Sequence, residues 1–176
     1  MFANRYFEKS GPFKPLISAL TDAETSVIVI IPCLMEPDIL KTLQSLHACN
    51  PIPGRTEVIV LINESEYCTQ EVSDYNLGTF HKIQHWMKEH PIDWLKFYPV
   101  GPVKLPPKWA GVGLARKTAM DEALYRFNIL NFPGGIIVSL DADTLVEKNY
   151  FQAMAEHFRI HKEDVGATVR FTHQTE

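Results

Sequence analysis

Three short runs of β-branched and aliphatic residues constrain this chain more than any other feature. SVIVII at 26–31, EVIVLI at 57–62 and GGIIVSL at 134–140 are too short for helices and too continuously apolar for half-exposed strands. They are expected as strands covered on both faces. After the first comes EPDILKTLQSLHAC, where Pro37 sits at a helix start and Ile39, Leu40, Leu43 and Leu46 form a helical stripe. After the second comes a polar stretch, NESEYCTQEVSDYN, and then a helix expected over about 77–89, with Phe80, Ile83 and Met87 on its stripe and Trp86 at the edge. A weaker strand, IDWLKFY, leads into VGPVKLPPKWAGVG, whose prolines and glycines predict a loop. A helix over about 112–128 restores the rhythm. NYFQAMAEHFRIH then predicts a helix with Tyr150, Phe151, Met154 and Phe158 on one side, and VGATVRF a fifth strand.

Strands alternating with helices predict an α/β fold, an open, mostly parallel sheet with flanking helices and right-handed crossovers. The 176 residues, 45% of them hydrophobic, suffice for one domain with a sizeable core. Residues 1–25 mix aromatics, charges and prolines and are expected as an arm laid on the domain of 26–176. The last residues, FTHQTE, directly follow the expected fifth strand, so the chain reads as cut shortly after it.

Charge and cysteine content narrow the partners. A formal charge of -4 provides no general attraction to nucleic acid or anionic membrane. Cys33, Cys49 and Cys68 are odd in number and widely spaced, which predicts reduced thiols and a cytoplasmic protein rather than a disulfide framework. The start lacks a signal-peptide run, and the longest apolar stretch, 27–35, is too short to span a bilayer.

In open parallel sheets, ligands sit beyond the carboxyl ends of the strands. Acids are expected there: Glu36 after the first strand, Glu64 after the second, and Asp141 with Asp143 in SLDADT after the fourth. If a turn brings the two aspartates to about 4–5 Å, their repulsion at an effective dielectric near 20 is roughly 3–4 kcal/mol, so a positive group is expected. Mg²⁺ and Mn²⁺ take carboxylate oxygens together with substrate phosphates, so two acids suffice if a diphosphate completes the shell. The bland reading is a solvated turn, with Asp143 or Thr144 capping a helix.

GVGLARK, 111–117, places Gly111 and Gly113 at a helix start, where free amides can face an anion or the glycines can simply form a tight turn. Arg116 falls on the same helical face as Val112, Ala119, Ala123 and Phe127. A guanidinium there needs a carboxylate or phosphate partner, as a structural pair or in a site. Lys117 points elsewhere, as a solvated residue or an outer phosphate contact. Lys104 and Lys108 can meet a phosphate and Trp109 can pack on a sugar or base, although loop lysines are ordinarily solvated. Glu36 can cap the following helix or accept from a ligand, and the same alternatives hold for Asn63, Glu64 and Ser65.

Four segments in order resemble the nucleotide-sugar-binding half of family 2 glycosyltransferases, the GT-A fold, over roughly 26–171. They are VIVIIPCLMEPDILKTLQSL, EVIVLINESE, GVGLARKTAMDEAL and VSLDADTLVEKNY, the last carrying the Asp-X-Asp motif. The resemblance implies a donor pocket drawn from Pro32, Glu36, Asn63, Glu64, Lys104, Gly113, Arg116, Asp141 and Asp143. It places Glu36 and the Asn63–Glu64 tip by the nucleoside, and Arg116 near Asp141. Asp141 and Asp143 are implied as the metal site for Mn²⁺ or Mg²⁺, with Asp143 ligating the cation on the diphosphate and Asp141 reaching ribose or a metal-bound water.

Asn63-Glu64-Ser65 departs from the more usual pair of aspartates, and Lys117 stands where asparagine is common. The implied reaction is inverting transfer of a sugar from a nucleoside diphosphate sugar to a hydroxyl acceptor. Its general base is expected beyond residue 176, so residues 1–176 are expected to bind donor without useful transfer. Attachment of a longer parent to the cytoplasmic face of a membrane is left open. A nucleotidyltransferase is the first alternative, but PCLMEP lacks the glycine-rich phosphate loop it should carry. A noncatalytic binding or scaffolding domain is the second.

Overall fold

The computed structural model describes residues 1–10, 13–170 and 172, without the side chains of Ser10 and Trp109. A single sheet organises it. Strands β1 (Thr25–Cys33), β2 (Arg55–Ser65), β3 (Leu95–Leu105) and β4 (Ile136–Ser139) lie in the order β3-β2-β1-β4. Every neighbouring pair is parallel, so all the carboxyl ends share one rim.

Alternation along the two central strands builds two cores. Val27, Val29 and Ile31 of β1 and Val58, Val60 and Ile62 of β2 face one core. It is completed by α2 (Ile39–His47), α3 (Gln70–Glu89) and α5 (Tyr150–Ile160). Ile28, Ile30, Ile59 and Leu61 face the other core, against Ala115, Ala119, Ala123 and Phe127 of α4 (Val112–Ile129). Side chains at successive strand positions point to opposite faces, which explains why these runs are apolar without interruption.

Pro32 does not end β1, as its chemistry suggests; it lies inside the strand, in register with Leu61. Ile30 O accepts from Leu140 N, so Ile30 and, two residues on, Pro32 present their backbones to the β4 side. There β4 has already stopped at Ser139, so the missing N–H of Pro32 costs no ladder bond.

Several expected boundaries move. VGPVKLPPKWAGVG is not wholly a loop, because β3 continues to Leu105. It does so past Gly101 at φ 117, where a Cβ would meet Ile62 O at 2.3 Å. Lys104 is therefore a strand residue, in register with Glu64. A short 3-10 turn, Pro107–Trp109, follows. α3 begins at Gln70, well before the expected 77, with Thr69 accepting from Val72 N. Its first two turns were illegible because their buried side is polar: the buried residues of α3 are Asn76, Thr79, Ile83 and Trp86, while Phe80 and Met87 are only partly covered. No fifth strand forms over 165–170, where every residue is exposed, and Phe171 lies outside the described residues. β-Branched composition alone does not make a strand, and 165–170 pair with no described strand, the free edge of β4 included.

The first residues cross the outer side of α4. A short helix, α1 (Asn4–Ser10), precedes an irregular stretch. Ala3 N donates to Asn128 Oδ1 at 2.7 Å, Tyr6 Oη to Asp121 at 2.7 Å, and Leu16 N to Glu122 at 2.8 Å. Phe7 and Phe13 pack on Tyr125. Among the described residues no helix is long and apolar enough to cross a membrane.

Candidate functional site

A cleft of about 370 Å³ opens at the carboxyl rim, lined by Pro32, Leu34, Glu36, Asn63, Val112, Arg116, Asp141, Ala142 and Asp143. Its size lies within the range of small-ligand sites, roughly 300–1,000 Å³. From β1 the chain moves through β2 to β3 on one side, while β4 lies on the other. The cleft thus spans the point where strand order reverses, the usual ligand position in open parallel sheets.

The turn after β4 is rigidly placed. Leu140 and Ala142 are buried, whereas Asp141 and Asp143 alternate with them and remain exposed. Thr42 Oγ1 of α2 donates to Ala142 O at 2.7 Å, Val146 N donates to Ser45 Oγ at 3.2 Å, and Thr144 N donates to Asp141 O. Apolar alternation therefore pins the backbone and turns both carboxylates to the cleft. No helix starts near Asp143 or Thr144, so the capping alternative is excluded; α5 begins at Tyr150.

The positive group expected beside the acids is, for Asp141, a guanidinium. Arg116 Nη2 donates to Asp141 Oδ1 at 2.5 Å, with the two side chains 34% and 64% exposed. Arg116 Nε is buried without a protein partner. The expected helical face is displaced, since Ala115, Ala119, Ala123, Arg126 and Phe127 are buried while Val112 is 56% exposed. Arg116 consequently sits on the flank of the buried face, at the rim, and is only partly shielded. Asp143 has no hydrogen-bond or ion-pair partner among the described residues. Nor, among those residues, do three or more His, Cys, Asp or Glu side chains form a group able to hold a metal. Asp141 and Asp143 form a site only with oxygens from a ligand or water.

The other expected residues divide. Glu36 lines the cleft and also accepts from Asp38 N at 3.1 Å through Oε1, so one oxygen serves the turn before α2. Asn63 lines the cleft as well, but Glu64 does not. One residue along the strand from Asn63, it faces α3, where it is 1% exposed and accepts from Ser73 Oγ at 3.2 Å and Asn76 Nδ2 at 3.4 Å. Gly113 is in the first turn of α4, and a Cβ there would meet nothing within 4 Å. Lys104 is exposed on β3, away from the lining. Lys117 holds the arm, donating to Asp121 at 2.5 Å and to Tyr6 Oη at 3.1 Å; the Asp121 bond chiefly raises its pKa. The side chain of Trp109 lies outside the described residues.

Two groups carry structural weight that sequence periodicity did not reveal. Glu57 and Arg126 form a fully buried pair, with Arg126 Nε to Glu57 Oε2 at 2.5 Å and Nη2 to Oε1 at 2.9 Å. Asn76 connects two segments that line the cleft, the loop after β1 and the end of β2. The only sequence signal for either was a polar residue at a position that its element buries.

No family model matches the sequence, and no curated protein matches it. Among solved structures, the crystal structure of S. aureus TarS 1-349 superposes with a TM-score of 0.50 at 19% identity, over 78% of this chain and 33% of that one. The same protein in complex with UDP-GlcNAc superposes with a TM-score of 0.46 at 16% identity, over 78% and 32%. This chain spans about a third of the length of those structures. The likeness to TarS 1-349 establishes a shared fold, an open α/β sheet with its helices on both faces.

Proposed function

We propose that this chain is the donor-binding part of a glycosyltransferase and takes a nucleoside diphosphate sugar together with Mn²⁺ or Mg²⁺. The single observation that carries this reading is the cleft itself. It gathers three carboxylates, of which Asp143 has no protein partner among the described residues, and a partly exposed arginine at the strand-order reversal. The four ordered segments that resemble family 2 glycosyltransferases supply the substrate class.

Asp143 and Asp141 would hold the cation jointly with the diphosphate, and the cation would offset charge developing on the leaving group. Arg116 contributes a positive charge on the same side, held in place by Asp141, and the part of its guanidinium that lines the cleft faces the anion. Glu36 and Asn63 form the opposite wall and contact the nucleoside. Glu64 acts from behind that wall, Gly113 leaves the helix start open to an anion, and Lys104 meets the ligand only from the outer edge. The sugar is passed to a hydroxyl acceptor.

Calorimetry with UDP and GDP, with and without Mn²⁺, tests the reading. Binding of at least one nucleotide should strengthen with Mn²⁺ in the parent, and the metal effect should vanish in Asp143→Ala. Equal affinity in all arms would overturn the metal site, and no binding at all would favour a scaffolding role.

A further inference from the structure

Asn76, in the second turn of α3, has no exposed surface and does not line the cleft. Its Oδ1 accepts from Met35 N at 3.1 Å, and its Nδ2 donates to Asn63 O at 3.3 Å and to Glu64 Oε2 at 3.4 Å. One amide therefore ties the loop after β1 to the end of β2. Those two segments provide Leu34, Glu36 and Asn63 to the lining.

Met35 shows what this tie resists. Its φ is 50, a left-handed conformation that residues other than glycine disfavour, and the residue is 39% exposed. The bond from Met35 N to Asn76 holds the loop there, and the turn directs Leu34 and Glu36 on either side of Met35 into the cleft. Ser73 Oγ, donating to the other oxygen of Glu64 at 3.2 Å, fixes the acid that fixes Asn76. The polar start of the buried side of α3 thus has a purpose apart from packing.

We propose that Asn76 is a positioning residue: with Glu64 and Ser73 behind it, it fixes the loop after β1 against the end of β2, and so the spacing of Glu36 and Asn63 within one wall, without touching the ligand. The ligand readout of this proposal rests on the donor-binding reading above, whereas its structural readout does not. The test compares the parent with Asn76→Leu, with the milder Asn76→Ser, and with each combined with Met35→Gly, a substitution that removes the penalty for φ 50. Hydrogen exchange over 33–37 is measured without ligand, UDP affinity is measured in Mn²⁺, and thermal unfolding serves as the control. Both position-76 variants should exchange faster at Met35 and bind UDP roughly tenfold more weakly, as expected for the loss of the bonds that hold the loop. Met35→Gly should recover most of that affinity without restoring the unfolding temperature. Unchanged exchange at Met35 overturns the proposal, as does weakened binding that tracks the unfolding temperature and is not rescued by glycine. If the parent binds no nucleotide, the donor reading fails, and the exchange at Met35 alone decides whether Asn76 positions the loop.

Discussion

Arg116 and Arg126 stand on the same helix, ten residues apart, and each pairs with a carboxylate at 2.5 Å. Their surroundings separate them. Arg126 and Glu57 are 3% and 1% exposed, joined by two bonds, and the guanidinium also donates to Ala19 O and lies over the Tyr98 ring. Arg116 makes one bond to a largely exposed aspartate and keeps a donor unused. A charge in the middle of the sheet face must be fully matched, because no water can compensate it. At the rim, where the Arg116 side chain is 34% exposed, water can complete the match. One pair belongs to the fold and the other to the candidate site.

Breaking the buried pair tests the first half of this contrast. Glu57→Ala should leave the Arg126 charge uncompensated and lower stability by about 3–5 kcal/mol. Urea unfolding would measure the loss; a change near zero would mean that water reaches the pair.

Arg116→Ala should behave in the opposite way. Stability should change by less than about 1 kcal/mol, since an exposed pair is solvent-screened. Nucleoside diphosphate affinity should fall roughly 10- to 100-fold, the scale of a charged hydrogen bond. If calorimetry and urea unfolding show the reverse pattern, Arg116 is a structural residue.

Glu122 sharpens the contrast between the two ends of α4 through pH. It has no exposed surface, and its Oε1 has no partner; burial raises its pKa, against the lowering effects of the Leu16 amide and Arg126. The folded state therefore holds this proton more tightly than the unfolded state does. Stability from this group is present below the ordinary carboxyl value and declines as pH rises toward the folded value. Glu122→Gln keeps an acceptor for Leu16 N, so it should raise stability at pH 7 and flatten that decline. Unfolding curves between pH 4.5 and 7 that are unchanged by the substitution would contradict the assignment.

The smallest effect belongs to Lys117, whose side chain is 54% exposed. Lys117→Ala should cost at most about 0.5–1 kcal/mol, and the difference should shrink in high salt. A larger loss would show that the arm depends on this lysine rather than on Asn128 and Glu122.

Much of this was legible in sequence because strands buried on both faces leave an unmistakable apolar run. SVIVII and EVIVLI locate β1 and β2, and SLDADT, following the third such run, locates the acids that Leu140 and Ala142 turn toward the cleft. The start of α3 was hidden because Asn76 and Thr79 occupy its buried side, and VGATVRF misled because strand propensity does not decide whether a segment pairs with the sheet.

The sequence by itself determined the periodicities, and with them the strand–helix order through β4 and the common carboxyl rim. Only the tertiary structure decided which charges are matched. Glu64 turns to α3 while Asn63 faces the cleft, Glu57 meets Arg126 across 69 residues, and Lys117 meets Tyr6 across 111. Hydrophobic burial is non-directional and repeats along the chain, so a single sequence displays it. A hydrogen bond or ion pair depends on a second group at about 3 Å, and where that group lies is known only when distant segments have been brought together.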